Sequence, residues 1–227
     1  IYLAGRTKAA QRIPYAVRQI LIGILFGGLA VVGTECGIGI DGAVINARDA
    51  SPVCAGLLFG APAGIIAGVI GGVERWFAVL WGAGAYTRLA CSISTVLAGI
   101  FAAVLRRYMF DNKKPKWYYC LATAVITEVI HMLMIFLTNM TDARTAFSFV
   151  RACALPMIAV NGLAVMLAGA LLSVLSGREK KGARHDLKNI SQSFQRWLLL
   201  CVTAGFLMTT VFTWALQTEL AENEAHD

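Results

Sequence analysis

The chain has 227 residues, of which 58% are apolar and 15% are charged, whereas a soluble globular domain carries roughly 25% charged residues. This composition excludes an ordinary soluble domain and indicates an integral membrane protein. The formal charge is +7, but the basic residues stand in short clusters between apolar runs, which excludes the interleaved basic face of a nucleic-acid-binding protein.

Several apolar runs follow one another along the chain, and each approaches or exceeds the roughly 17 to 25 residues that a spanning helix needs. They cover residues 19–32, 50–73, 89–105, 117–138, 152–176 and 197–216. The sequence therefore predicts an all-α fold, a polytopic bundle of transmembrane helices. The last run is separated from the others by a hydrophilic stretch, so we expect it to form an additional C-terminal transmembrane helix.

Clusters of Lys and Arg before residue 19, at 106–116 and at 178–196 are all cytoplasmic under the positive-inside rule. The number of crossings between the first two clusters must then be even, although three apolar runs lie there. The run 50–73 is interrupted at Gly60-Ala61-Pro62, where proline disfavours helix continuation. We predict two short helices, at about 47–59 and 63–76. The alternative is one 24-residue span followed by a re-entrant segment at 76–86.

These features predict the order of segments in the chain. Residues 1–17 form a cytoplasmic lead-in, and 18–176 form a compact multi-helix membrane domain. A basic cytoplasmic linker at 177–195, the additional helix at 196–217 and an acidic extracytoplasmic tail at 218–227 follow. Because the chain opens with Ile-Tyr-Leu and not with Met, we expect it to be an excerpt of a longer protein.

The short helices are rich in glycine, which recurs every four residues from Gly56 to Gly72. Such a small-xxx-small row lets helix backbones approach closely. We therefore predict tight packing of these helices against a neighbour.

Arginine, and never lysine, occupies the positions outside the cytoplasmic clusters, and its guanidinium can bind a carboxylate at two points. The predicted topology puts Arg48 and Arg75 at the outer side. Cys91 and Ser94, one helical turn apart at the outer start of the next span, are expected to share a face. Together these residues suggest an outward-opening polar pocket. The alternative is that Arg48 pairs with Asp49, and Arg75 with a neighbouring carboxylate or a lipid phosphate.

Glu128 and His131 lie one turn apart in the middle of the run 117–138. Ionisable groups at that depth are costly and usually face a protein interior or a cavity. A proton relay and a structural hydrogen bond between the two side chains both remain open. No catalytic motif is present, so we predict no catalytic residues in this segment. The cysteines have neither C-x-x-C pairs nor a nearby His at ligand spacing, which predicts no metal site.

An ordered set of motifs resembles the five-transmembrane receptor domain of the LytS-YhcK type. The motifs are Asn46-Ala47-Arg48-Asp49, Gly56-x-x-x-Gly60-x-Pro62-x-Gly64-x-x-x-Gly68, Gly72-x-x-Arg75, Cys91-Ser92-x-Ser94-x-x-x-Ala98-Gly99, Glu128-x-x-His131-Met132 and Leu155-Pro156-Met157-x-x-x-Asn161-Gly162. The likeness covers roughly residues 18–176. Glu74 departs from the pattern, because a neutral or His residue is expected before Arg75.

The resemblance implies ligand-binding roles for Arg48, Arg75, Cys91 and Ser94, and it makes the sensed ligand a small carboxylate such as pyruvate. Supporting polar residues within the membrane are then Asn46, Glu74, Glu128, His131 and Asn161. No cofactor is implied.

The implied protein is the membrane sensory input domain of a bacterial signal-transduction receptor in the plasma (inner) membrane. Its partners would be the lipid bilayer, a second copy in a homodimer and a cytoplasmic output domain, either a histidine kinase, a diguanylate cyclase or a phosphatase. Two alternatives compete with this reading: a solute-binding membrane subunit of a vitamin-type transporter, and a structural membrane partner in cell-wall assembly.

Overall fold

The computed structural model describes residues 13–40, 43–82, 84–175, 196, 198–203 and 205–208. The chain separates into two units, Ile1–Arg184 and His185–Asp227. Helices and strands of the first unit follow in the order α1 Tyr15–Glu35, β1 Ile38–Ile40, β2 Ala43–Ile45, α2 Ala50–Cys54, α3 Ala61–Phe77, α4 Arg88–Tyr108, α5 Trp117–Thr138 and α6 Ala143–Leu175. A π-helical segment, Ala55–Phe59, extends α2, and 3-10 turns cover Ala78–Trp81 and Met140–Asp142.

Five stretches in the described part of the chain are long and apolar enough to cross a membrane. They are Tyr15–Glu35, Ala61–Trp81, Arg88–Tyr108, Trp117–Thr138 and Met140–Leu175. The predicted bundle of transmembrane helices is therefore confirmed. The antiparallel hairpin of β1 and β2, in which Ile38 pairs with Ile45, is an element that the sequence analysis did not predict.

The predicted interruption of the run 50–73 is present at Gly60, between the π-helical segment and α3. Pro62 occupies the first turn of α3, where its missing N–H has no intrahelical partner to lose. The Gln19 side chain of α1 donates from Nε2 to the Phe59 carbonyl at 3.2 Å, and it lies so close to Gly60 that a Cβ there would overlap it. The alternative of one continuous 24-residue span is therefore wrong.

The helix before the break is too short to span a bilayer. Ala50–Phe59 has ten residues, which is about 15 Å of helix, whereas a hydrocarbon core is roughly 30 Å thick. Residues 46–49, between β2 and α2, must therefore enter the bundle from the hairpin side to meet the start of this helix.

The glycine row packs as predicted. Gly64 and Gly68 of α3 face Gly99 of α4, and Gly56 on the π-helical segment faces Ala102. A Cβ on Gly99 would overlap the backbone carbonyl oxygen of Gly64 and approach the Gly68 Cα to 3.3 Å. Since backbone atoms cannot rotate away as a side chain can, α3 and α4 can approach this closely only with glycine at the contact.

We expect Gly99→Ala to lower the free energy of unfolding by about 1–3 kcal/mol through overpacking. Gly28→Ala is the matched control, because Gly28 on α1 has nothing within 4 Å of an added Cβ. That control should leave stability unchanged or slightly higher, as alanine favours the helix. Both variants are compared by denaturant titration in detergent micelles. Equal stabilities of the Gly99→Ala and Gly28→Ala variants would show that α3 and α4 can move apart at this contact without loss of stability.

In the second unit, residues 198–203 and 205–208 are helical, within the predicted additional helix at 196–217. The Thr203 hydroxyl there donates to the Leu199 carbonyl at 2.7 Å. The predicted linker 177–195, the tail 218–227 and most of the lead-in 1–17 lie outside the described residues, so these boundaries stay predictions.

Candidate functional site

The segment between β2 and α2, residues 46–49, is held in place by Asn161 of α6. The Asn161 Oδ1 accepts the Ala50 backbone N–H at 2.9 Å, and its Nδ2 donates to the Asn46 carbonyl at 3.0 Å. Asn161 therefore occupies a buried position where it satisfies backbone groups at the start of α2. The amide side chain of Asn46 in turn accepts the Arg48 backbone N–H at 3.3 Å.

Arg48 and Asp49 form a buried ion pair against α4. The Arg48 Nε lies 3.1 Å from Asp49 Oδ1 and 2.6 Å from the Thr95 hydroxyl, which itself lies 2.6 Å from the same carboxylate oxygen. Arg48 is 0% exposed and Asp49 is 1% exposed. The pairing of Arg48 with Asp49 that the sequence analysis left open is thus present in the structure.

The predicted outer-level position of Arg48 stays a prediction. We call the end of the bundle that carries the 78–87 connection the outer end. The Arg48 Cα lies against Gly33 of α1, two residues before α1 ends, and Arg75 lies two residues before the end of α3. The Arg48 side chain reaches Thr95, seven residues after the start of α4, which places Thr95 about 10 Å below the outer end.

A chain of polar contacts continues from Asp49 to α5 and back to α4. His131 Nδ1 lies 2.8 Å from Asp49 Oδ2, and His131 Nε2 lies 3.3 Å from the Cys91 sulfur. Glu128 Oε2 is 3.7 Å from His131 Nδ1, so Asp49 makes the shorter contact with this nitrogen. Cys91, His131 and Asp49 are thereby aligned in the order thiol, imidazole, carboxylate.

A cavity of about 270 Å³ opens beside this chain. Four predicted residues line it: Asn46, Arg75, Cys91 and His131. The other lining residues are Thr34, Glu35, Gly37, Trp81, Gly82, Gly84, Thr87, Ile135, Phe149 and Met157. Sites for drug-sized ligands occupy roughly 300–1,000 Å³, so this volume suits a ligand of only a few heavy atoms.

Arg75 lines the cavity and has one terminal nitrogen without a hydrogen-bond partner. Its Nη2 donates to the Gly84 carbonyl at 2.8 Å and to the Thr87 hydroxyl at 3.2 Å, while Nη1 is buried without a hydrogen-bond partner. Arg75 is only 4% exposed. A buried guanidinium nitrogen without a partner is costly, and an anionic ligand would satisfy it.

The other predicted site residues do not line this cavity. They are Arg48, Glu74, Ser94, Glu128 and Asn161. Ser94 does not share the Cys91 face as expected: its hydroxyl donates to the Cys91 carbonyl at 3.1 Å, and it borders a separate, mostly apolar depression with Thr127 and Ile130. Thr95, four residues after Cys91, takes the position facing Asp49.

The sequence analysis missed Thr87 and Thr95. A signal for both was present, because Thr87, Cys91 and Thr95 recur every four residues along α4 and so share one face. The sequence suggests Asp49 only as an ion-pair partner of Arg48, because the contact between Asp49 and His131 depends on the tertiary arrangement.

Asp49, Glu128 and His131 bring donor atoms within 4.8 Å of one another, as a metal site would. Asp49 Oδ2 lies 2.8 Å from His131 Nδ1, and the Arg48 guanidinium already occupies the other oxygen of Asp49. A cation at this point would face a buried positive charge, so we interpret the group as a buried charged cluster and not as a metal site.

Comparison with known proteins supplies a family and several relatives. A family model described as "5TMR of 5TMR-LYT" matches residues 1–174. The chain is 26% identical over 164 residues to Sensor histidine kinase YpdA of Escherichia coli K12, covering 72% of this chain and 28% of that protein. It is 27% identical over 164 residues to Sensor histidine kinase BtsS of the same strain, covering 70% and 28%.

A further relative is Sensor protein LytS of Staphylococcus epidermidis, strain ATCC 12228 / FDA PCI 1200. The identity is 32% over 209 residues, which cover 82% of this chain and 34% of that protein. The chain thus spans about a third or less of the length of these relatives. No solved structure matches the chain.

Proposed function

The chain belongs to the 5TMR family of the 5TMR-LYT type, and from this premise we propose that its cavity binds a small carboxylate such as pyruvate. It is a multi-pass plasma-membrane protein whose fold and relatives fit the membrane sensory input domain of sensor histidine kinases. The identity of the ligand and the reaction of the output domain are the parts that we add as proposals.

The observation that carries the proposal is Arg75, which lines the cavity and whose buried Nη1 has no hydrogen-bond partner. Thr87 and the Gly84 carbonyl hold the other terminal nitrogen, so the guanidinium is already oriented before any ligand arrives. A preorganised fork loses little conformational entropy when it binds a carboxylate.

The two arginines differ in what they leave for an anion. Their hydrogen-bond partners, Thr87 at the N-cap of α4 and Thr95 within it, are eight residues apart, which is about 12 Å, and Cys91 lies midway between them. The charge of Arg48 is compensated by Asp49, so Arg75 is the cation that an anion next to Cys91 would meet. The carboxylate of Glu35, which also lines the cavity, accepts a hydrogen bond from the Trp81 indole at 2.7 Å.

The position of the cavity suggests how binding is relayed. Its walls come from the outer end of α3 and from α4, and also from Ile135 of α5 and Phe149 and Met157 of α6. A ligand held between these helices stabilises one arrangement of the bundle over another. Helix α6 then continues to Leu175, toward the predicted cytoplasmic linker and output domain. Pairing of two such chains in a homodimer remains part of this proposal.

The proposal predicts that acids, and not their neutral analogues, stabilise the protein. Pyruvate should stabilise the full chain in lipid nanodiscs, and this should be measured as a rise in the midpoint of unfolding with ligand concentration. At a pyruvate concentration of a hundred times Kd, the free energy of unfolding should be higher by about 2.7 kcal/mol. Pyruvamide, which has the same shape without the charge, is the matched control and should have little effect. Equal stabilisation by both compounds, or by neither, would overturn the carboxylate assignment.

A further inference from the structure

We propose that Cys91 captures a 2-oxo acid covalently and reversibly, as a thiohemiketal, and so distinguishes it from other small acids. This inference rests on the proposed carboxylate site and narrows its ligand class. Its basis is the arrangement of Cys91, His131 and Asp49, of which Cys91 and His131 line the cavity.

The alignment gives each of the three groups a defined role. The carboxylate of Asp49 is ion-paired with Arg48 and lies 2.8 Å from His131 Nδ1. In the proposed reaction the imidazole carries its proton on Nδ1, next to this carboxylate, and Nε2 is the acceptor, 3.3 Å from the Cys91 sulfur. A thiol next to such an oriented base is activated as a nucleophile.

Arg75 would position the acid for this attack. Thr87, whose hydroxyl accepts a hydrogen bond from Arg75, precedes Cys91 by four residues, which is about 6 Å along the axis of α4. In a 2-oxo acid the carboxylate carbon and the carbonyl carbon are directly bonded. A carboxylate on Arg75 Nη1 therefore directs the adjacent carbonyl carbon toward the sulfur.

The reaction is balanced without a further reagent. The Cys91 sulfur forms a bond to the C2 carbonyl carbon, the π bond of that carbonyl breaks, and its electron pair passes to oxygen. The thiol proton moves to His131 Nε2 and from there to this oxygen. No electron is lost or gained and no group leaves, so the same steps in reverse release the ligand unchanged.

Among the other described cysteines, Cys153 is a suitable comparison for Cys91. Cys153 is buried on α6, where its sulfur faces the Met132 sulfur at 3.9 Å, and it does not line the cavity. Cys153→Ala is therefore a matched control for Cys91→Ala. Cys91→Ser, which nearly preserves the volume and polarity of the side chain, tests the loss of the sulfur where alanine would disturb packing.

The experiment is a carbon NMR titration of the full chain in nanodiscs with pyruvate labelled at C2. We expect a bound resonance in the range of tetrahedral carbon in the parent and in Cys153→Ala, and none in Cys91→Ala or Cys91→Ser. Signal from the hydrate of free pyruvate is common to all samples and cancels in the comparison. A bound ligand that keeps its ketone resonance in the parent would overturn the inference.

A second measurement separates this inference from the proposed function. Calorimetry should give pyruvate at least about tenfold tighter binding than lactate in the parent, and a ratio near one in both Cys91 variants. Binding of both acids with a ratio near one already in the parent would overturn covalent capture while leaving the carboxylate site intact. Binding of neither acid would remove the carboxylate site, and this inference with it.

Discussion

Replacing Arg75 with alanine is expected to weaken pyruvate binding by about 2–5 kcal/mol, which is roughly 30-fold to 4,000-fold in Kd. The reason is that the carboxylate would remain in a largely enclosed cavity without its charged partner. Thr87 and the Gly84 carbonyl would also lose the donor that they share. Calorimetric titration of each variant in nanodiscs measures the change.

Arg75→Lys should restore little of this affinity. The arginine uses Nη2 for Gly84 and Thr87 and leaves Nη1 for the ligand, whereas a single ammonium group cannot keep both sets of contacts in that geometry. Arg144→Ala is the control, because Arg144 is an exposed residue of α6. If Arg75→Ala bound pyruvate as tightly as the parent, the ligand site would lie elsewhere and Glu74 would become the residue to examine.

Arg48→Met is expected to lower the free energy of unfolding in the absence of ligand by about 3–5 kcal/mol. Arg48, Asp49 and His131 are each 1% exposed or less. Removing the guanidinium leaves the Asp49 carboxylate buried with one of its charged partners missing. Methionine keeps most of the side-chain volume, so the measured loss reports chiefly on the charge and its hydrogen bonds to Asp49 and Thr95.

The double variant Arg48→Met with Asp49→Asn tests this explanation. Because the second substitution removes the uncompensated charge, the double variant should be less destabilised than the sum of the two single changes. Arg107→Met, at an exposed position near the end of α4, should stay within about 0.5 kcal/mol of the parent. Reversible denaturant titrations in micelles give these values. An Arg48→Met protein as stable as the Arg107→Met control would show that the buried pair contributes no net stability.

The membrane character of the protein and its main interruption followed from local sequence alone. Apolar runs of spanning length have few other ways to satisfy their backbone than a transmembrane helix, and the proline after Gly60 prevents a single helix from continuing. The tight packing of the glycine-rich helices was likewise visible as a row of small residues, whereas its partner Gly99 follows from the structure. Each of these properties depends on residues that are neighbours in sequence or one helical turn apart.

The choice of arginine over lysine at positions 48 and 75 also indicated a polar pocket. Four of the predicted residues, Asn46, Arg75, Cys91 and His131, line a common cavity. The sequence supplies the types of these residues, and helix length together with the predicted topology supplies their approximate depth in the bundle.

The tertiary structure decided which of these groups touch. The Arg48 side chain extends from the turn before α2 to Asp49 and Thr95, and Thr95 lies about 10 Å below the outer end. The rotation of α4 against α5 turns Cys91 toward His131 and leaves Ser94 on another face. A helical pattern defines the angle between residues of one helix, but not the angle at which that helix faces its neighbours. That second angle follows from packing among elements distant in sequence, and it determines the chain of contacts from Asp49 through His131 to Cys91.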